Sequence, residues 1–101
     1  MTEPLVFRGE QGTITVTAGA VSGAVAAAAR SVEGARVRRP RRAVEVSHDG
    51  SRAAVSLELA AGYGEPLPQL VRAVQERVAE TLGRLSGLEV ERVDVEIAEV
   101  G

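Results

Sequence analysis

Five arginines stand within seven residues of this chain, in the run RVRRPRR. Side chains of this kind, so closely spaced, can neutralise the phosphates of a nucleic acid or of anionic lipid headgroups. Recognition of single strands usually adds aromatic stacking, and the run contains no aromatic residue. Charge and proline also protect an edge strand from pairing with other chains. The run is therefore predicted to be either a solvated edge or an interaction edge for an acidic protein, a neighbouring subunit, a nucleic acid or a lipid surface; its arginines are Arg36, Arg38, Arg39, Arg41 and Arg42.

Residues that could carry catalysis are few. The one histidine, His48, stands beside Asp49, and this pair falls short of the three or four ligands that a metal ion needs. The absence of cysteine excludes thiolate metal sites and cysteine nucleophiles. Glu45 and Glu58 lie on facing strands of a predicted hairpin, but at solvated positions, whereas an acid–base pair needs burial or close coupling. We therefore predict no catalytic, cofactor-binding or metal-binding residues, and a protein that is not an enzyme.

The segment Gly62–Pro66 joins a strand to a helix, which is where a phosphate-binding loop would lie. It lacks the lysine and the glycine spacing of such a loop, and Glu65 would repel an anion at a helix start. We interpret the segment as a turn, with Tyr63 as a lid over the core.

The composition is that of one globular domain. The chain has 101 residues, of which 45% are hydrophobic, and its net charge is −2. Because Phe7 and Tyr63 are the only aromatic residues, valine, alanine and leucine must build the core, and self-association would bury more apolar surface. Neither a leader segment nor an apolar run near the ~20 residues that cross a bilayer is evident. We expect a cytoplasmic protein without a membrane span, in which residues 1–8 are a flexible lead-in and residues 9–101 one α+β domain.

The spacing of apolar residues predicts the secondary structure. Strict alternation indicates a first strand over residues 13–17, a hairpin around Asp49-Gly50, and a last strand over residues 93–97. Apolar residues spaced three and four apart predict a helix over residues 18–33 and a second helix that begins at Pro66 and ends at Gly87. The apolar stripe of the second helix runs from Leu67 to Leu85. The segment that holds the arginine run is expected to be a weak edge strand or a loop, because proline cannot donate to a sheet.

The resulting order, β-α-β-β-β-α-β, is typical of a two-layer α+β fold with a mixed β-sheet and two helices on one face. A ferredoxin-like sheet with an extra edge strand is expected. Polar residues at alternate strand positions leave the other face of the sheet to water or to a partner. On the last strand these residues are Arg92, Asp94 and Glu96, which we predict to form an interaction face.

Two long stretches carry a family resemblance: GTITVTAGAVSGAVAAAARSVEGA near the start, and VSLELAAGYGEPLPQLVRAVQERVAETLGRLSGLEVERVDVEI later. Within them the recurrent elements are Tyr63-Gly64, Val74-Gln75, Ser86-Gly87-Leu88 and Val93-Asp94-Val95. In order and spacing these segments resemble the alkaline shock protein family of Gram-positive bacteria, also called the general stress protein family. The resemblance covers about residues 9–99. RVRRPRR departs from it, since that stretch of the family is less basic and richer in glycine.

The resemblance implies a small, non-enzymatic, cytoplasmic protein of cell-envelope stress homeostasis. Some members are held at the membrane by a separate anchor protein, self-assembly is a family trait, and the family offers no catalytic residues to transfer. The sequence therefore predicts a stress-response protein that acts through protein–protein contacts, as a homo-oligomer or with a membrane-anchor partner. The alternative is a small nucleic-acid-binding module that uses the basic edge Arg36–Arg42.

Overall fold

A computed structural model describes residues 2–101. These residues form a main sheet, two long helices that cover one side of it, and a separate two-stranded hairpin. The elements, in chain order, are β1 (Leu5–Gly9), β2 (Gly12–Val16), α1 (Ala18–Arg30), β3 (Ala35–Arg36), α2 (Pro40–Ala43), β4 (Val44–Asp49), β5 (Arg52–Ala61), α3 (Leu67–Ser86) and β6 (Glu89–Val100).

Strand β5 is the centre of the main sheet. On one side it pairs antiparallel with β4 over Arg52–Leu57 and with the short β3 at Ala60–Ala61. On the other side it pairs in parallel with β6 along its whole length, with register shifts at Ala53/Ala54 and Leu59/Ala60. Parallel neighbours need a long crossover connection, and α3 supplies it.

The hairpin of β4 and β5 is confirmed. Alternate apolar residues of the two strands face each other in register, Val44 with Leu57 and Val46 with Val55, and all four are buried. Gly50 in the turn has a φ of 59°, in the left-handed region that favours glycine in a tight hairpin.

Helix α1 begins after Thr17, whose Oγ1 accepts a hydrogen bond from the backbone N–H of Ala20 at 3.2 Å. Such a cap satisfies one of the unpaired donors at a helix start. The helix ends at Arg30, three residues before the predicted end. Its alanines allow a close approach to the sheet, and Ala26 and Ala29 are fully buried.

Helix α3 follows the predicted apolar stripe and ends where Gly87 adopts a φ of 72°. The last residue of the stripe, Leu85, is the exception, since it is 41% exposed. The stripe residues that are buried in the core are Leu70, Val74, Val78 and Leu82.

The core consists of aliphatic side chains, as the composition required. Leu57, Leu59 and Leu82 are its largest fully buried members, and valines and alanines fill the remaining space. Burial of each valine or leucine side chain contributes roughly 1.5–3 kcal/mol. The predicted class, an α+β fold with a mixed sheet and two helices on one face, is confirmed.

The structure differs from the sequence expectation near the start of the chain. Leu5–Gly9 form strand β1 instead of part of a loose lead-in, because Leu5 is buried against the core and pairs with Val16. Strand β2 pairs with β1 and not with the main sheet, so β5 and β6 are direct neighbours and the ferredoxin-like arrangement is not found.

Pro40–Ala43 form a short helix, α2, where a loop or an edge strand was expected. Proline is well suited to the first turn of a helix, where its missing N–H would have no partner.

Candidate interaction surfaces

The side of the main sheet opposite the helices is open to solvent, and we call it the open face. Exposed residues alternate here with buried ones because successive strand side chains point to opposite sides. Glu45 lies beside Ser56, and Ser56 lies beside Asp94, in the registers of β4, β5 and β6. The structure places the three residues of the predicted interaction face together on this side, all exposed: Arg92, Asp94 and Glu96.

Negative charge prevails on the open face. Glu58 and Glu96 are direct neighbours in the register of β5 and β6, and neither forms an ion pair within residues 2–101. Like charges at directly opposite positions destabilise a sheet. Arg92 offsets only Asp94, its own neighbour on β6, with Nε 3.2 Å from Oδ2.

The arginine run does not form a single patch. The Nη2 atom of Arg36 donates to the carbonyl oxygens of Gly101 at 2.5 Å and Ala61 at 3.4 Å. The Nη2 atom of Arg38 lies 2.8 Å from a carboxylate oxygen of Glu99. Both arginines therefore contact the chain at the ends of β5 and β6, and Arg38 is paired there with a carboxylate.

Of the other three arginines, Arg39 and Arg42 line one depression together with Arg38 and two carboxylates, and Arg41 points elsewhere. Arg39 precedes α2 with a φ of 53°, which is uncommon for a residue with a side chain. Arg41 reaches the start of α1, where its Nη2 lies 3.1 Å from the position of a Cβ on Gly19. Arg42 lines a shallow depression of the open face together with Glu58.

Arg30 and Arg52, the two other arginines that lie nearest in sequence, do not enlarge this basic edge. The Nη2 atom of Arg30 donates to the carbonyl oxygen of Val37 at 2.7 Å. Arg52 lies at the far end of β5, 3.9 Å from a carboxylate oxygen of Glu91. A contiguous basic surface, which polyanion binding would need, is therefore not assembled by these residues.

His48 contacts Glu3 and Pro4, near the start of the described residues. Its Nε2 lies 3.1 Å from the carbonyl oxygen of Pro4, and its backbone N–H donates to a carboxylate oxygen of Glu3 at 3.1 Å. Within residues 2–101 no three histidine, aspartate or glutamate side chains are grouped so that they could hold a metal ion. The imidazole thus has a structural contact in this fold.

Sequence reasoning missed the contacts of the segment before β1. The Thr2 hydroxyl donates to the carbonyl oxygen of Val44 at 2.9 Å and accepts a hydrogen bond from the Ser22 hydroxyl at 3.0 Å. The N–H of Glu3 donates to the carbonyl oxygen of Val46 at 2.9 Å. Thr2 and Glu3 thus cover the outer edge of β4. Contacts between residues so far apart in sequence cannot be predicted from a local pattern.

Exposed apolar side chains were also missed. Tyr63 is 90% exposed, so its interpretation as a lid over the core is wrong. It lies in the turn between β5 and α3. On the separate hairpin, Val6 is 58% and Ile14 is 62% exposed. As for membranes, the part of the chain that the structure describes contains no helix with the length and apolarity of a membrane span.

Comparison with known proteins identifies a family that the chain matches and a solved structure with a similar fold. The model of the alkaline shock protein 23 family, described as having a cell envelope-related function, matches residues 14–101. Among curated proteins, no sequence matches the chain significantly. Among solved structures, a variant of the C-terminal domain of MamM in a cadmium form superposes with a TM-score of 0.54 at 18% identity, over 80% of this chain and 94% of that one. At this identity the likeness concerns the fold alone.

Proposed function

The chain belongs to the alkaline shock protein 23 family, whose function is cell envelope-related, and on this premise we propose that it serves cell-envelope homeostasis by binding another protein through its open face. The main support for this proposal is the pair Glu58 and Glu96. Their exposed carboxylates lie side by side, and neither forms an ion pair inside residues 2–101. A basic segment of a partner would relieve their repulsion. The role is that of a non-catalytic adaptor.

The partner that fits this surface carries arginine or lysine side chains. Complementary charge of this kind speeds encounter and selects the partner more than it adds affinity. A membrane-anchored protein with a basic cytoplasmic segment meets this requirement and would hold the chain near the envelope. The chain itself would then be a cytoplasmic protein recruited to the membrane.

A charge-reversal variant tests the proposal. Glu58→Arg/Glu96→Arg, expressed in a deletion strain of the source organism, is expected to lose membrane co-sedimentation and to fail in restoring growth under alkaline or cell-wall stress. The matched control is Glu33→Arg/Glu76→Arg, which makes the same change of net charge at exposed sites away from the open face. Full activity of the open-face variant, or equal loss in both variants, would contradict the proposal.

Nucleic-acid binding by the basic edge receives no support from the geometry. Arg36 and Arg38 are engaged with backbone carbonyls and with Glu99, and Arg42 stands next to carboxylates that would repel a polyanion. The sequence-based alternative is therefore not proposed as the function.

A further inference from the structure

The hairpin of β1 and β2, which we call the arm, projects from the body. Thr2 to Pro4 follow β4 from Val44 to His48, so the chain leaves the body where β4 turns into β5. Ten residues of β5 span ~33 Å and five residues of an arm strand ~17 Å, at ~3.3 Å per residue. Their sum matches the molecular length of 51 Å, against 22 and 19 Å across.

The arm leaves apolar side chains in water. Phe7 and Ile14 are opposite each other in the register and share one side of the arm. Ile14 is 62% exposed, and Phe7 is half-buried because it packs against the hydrophobic core. The arm is covered only where Leu5, Phe7 and Val16 pack on the core, and an isolated two-stranded hairpin is marginally stable in water. Contact with another surface would therefore stabilise the arm by burying its exposed apolar side chains.

The strand edges of the molecule differ in how they are protected against pairing. The edge of β4 is covered by Thr2 and Glu3. The edge of β6 is rich in charge, carries two register shifts, and has one carbonyl, that of Val93, occupied by the side-chain amide of Gln75 at 2.9 Å. Charge, irregularity and cover are the usual means of blocking edge-to-edge association.

The outer edge of β2 is protected neither by charge, nor by an irregularity, nor by a covering segment. The sequence of β2, Gly-Thr-Ile-Thr-Val, has no charge, no proline and four β-branched residues, and its first four residues are exposed. Its neighbour β1 at least carries Arg8. Among residues 2–101, the outer edge of β2 is the one strand edge left open and uncharged.

We propose that the β2 edge pairs antiparallel with the β2 edge of a second copy of this chain, about a two-fold axis at Ile14. The idea rests on the proposed function, action through protein contacts, and names one such contact. A neutral edge is matched best by a neutral edge, and the other strand edges of this chain are charged or covered. The product is a four-stranded sheet in the order β1, β2, β2, β1.

The backbone geometry of the arm suits this register. Glu10 and Gln11 form a two-residue turn, so Gly12, Ile14 and Val16 bond to β1, and the N–H and C=O groups of Thr13 and Thr15 point outward, because ladder bonds alternate. With Ile14 opposite Ile14 of the second copy, Thr13 faces Thr15 twice and every outward group finds a partner.

The apolar side also becomes continuous. Phe7 and Ile14 of one copy line up with Ile14 and Phe7 of the other in a single stripe. The contact involves two strands of five residues, well below the ~800 Å² per partner of a standard interface. The dimer is therefore weak and depends on protein concentration.

Disulfide trapping tests the register directly, since the chain contains no cysteine of its own. In Ile14→Cys the two thiols face each other at a non-bonded pair, where Cα atoms lie ~4.5 Å apart, within disulfide range. Under mild oxidation we expect a disulfide dimer to form at least about tenfold faster than in Val6→Cys, because pairing raises the effective thiol concentration. Val6 is a fair control because it is similarly exposed, on the other strand and the other side of the arm.

Sedimentation velocity of the cysteine-free chain gives a second measurement. The wild type is expected to show a concentration-dependent dimer that Ile14→Lys abolishes, through like charges at the axis, and that Val6→Lys retains. Equal trapping rates at both positions, or a wild type that stays monomeric at high concentration, would overturn the inference. The proposed function would survive either result, since the open-face variants leave the arm unchanged.

Discussion

Single residues with unusual backbone conformations fix the ends of several elements. Gly87 has a φ of 72° at the end of α3, and Gly34 has a φ of 91° before β3. At Gly34 a Cβ would also stand 2.6 Å from the Glu65 side chain. Gly23, by contrast, lies on the exposed side of α1 with no atom within 4 Å of an added Cβ.

These differences predict opposite effects of the same substitution. Gly87→Ala should lower the free energy of unfolding by about 1–2 kcal/mol, the cost of a left-handed conformation for a residue with a Cβ, and Gly34→Ala should cost more because of the contact. Gly23→Ala should raise it by about 0.5–1 kcal/mol. Urea unfolding measures all three, and a destabilised Gly23→Ala would contradict the argument.

The contacts of the five arginines predict weak binding of nucleic acid. Arg36 and Arg38 are engaged within the fold, and two carboxylates line the depression that Arg39 and Arg42 share. If all five neutralised phosphates, log K would fall against log salt with a slope of about −4.5. Because only part of the run can face one polyanion, we expect a slope of about −2 or shallower. Fluorescence anisotropy of a labelled random-sequence oligonucleotide across a salt series measures the slope. A steep slope that disappears in Arg39→Gln/Arg41→Gln would restore the nucleic-acid hypothesis.

At the scale of elements, the segment before β1 acts as a cover for β4. Thr2→Val keeps the shape of the side chain but leaves the Val44 carbonyl and the buried Ser22 hydroxyl without a partner. The expected loss in the free energy of unfolding is about 1–3 kcal/mol. In Thr2→Val/Ser22→Ala part of this loss should return, because one orphaned hydroxyl is gone. Denaturant titration of both variants decides, and a neutral Thr2→Val would show that the contact is not formed.

The open face should be more stable with less charge. Glu58→Gln removes the repulsion with Glu96, and we expect a gain of about 0.2–1 kcal/mol, the scale of a cross-strand pair. The gain should shrink at high salt, where exposed charges are screened. Glu33→Gln, at an exposed site outside the sheet, serves as the control. Thermal unfolding at two salt concentrations separates the outcomes, and a destabilised Glu58→Gln would mean that the carboxylate has a stabilising contact.

Elements with strong local periodicity could be predicted from the sequence. The stripe from Leu67 to Leu82 and the alternation around Asp49-Gly50 each determine one element without help from the rest of the chain. The pairing of β1 with β2 and the burial of Thr2 depend on contacts across long stretches of sequence, which no local pattern encodes. The contacts of the arginine run could not be predicted for a related reason. They are made with Glu99, Gly101 and α1, which lie far from the run in sequence, and a proline is typical of a helix start as well as of a strand break.

The stability of the whole molecule depends on a core of small aliphatic side chains. Leu57 lies at its centre on β5 and is 2% exposed. Leu57→Ala should cost about 2–5 kcal/mol, from lost burial and the cavity left behind. Leu85→Ala, at a 41% exposed site, should change the stability by no more than about 0.5 kcal/mol. Chemical denaturation measures both, and similar losses at the two sites would contradict the assigned core.

The parallel pairing of β5 with β6 imposes an order on folding. Before β6 can reach its place, α3 must be synthesised and must fold back across the sheet, whereas β4 and β5 can close at once as a hairpin. At about 5–20 residues per second, the ribosome needs on the order of a few seconds to supply that stretch. Until β6 has folded onto it, one side of β5 has no partner, so this edge of the central strand is where the incomplete fold is most open to association with other chains.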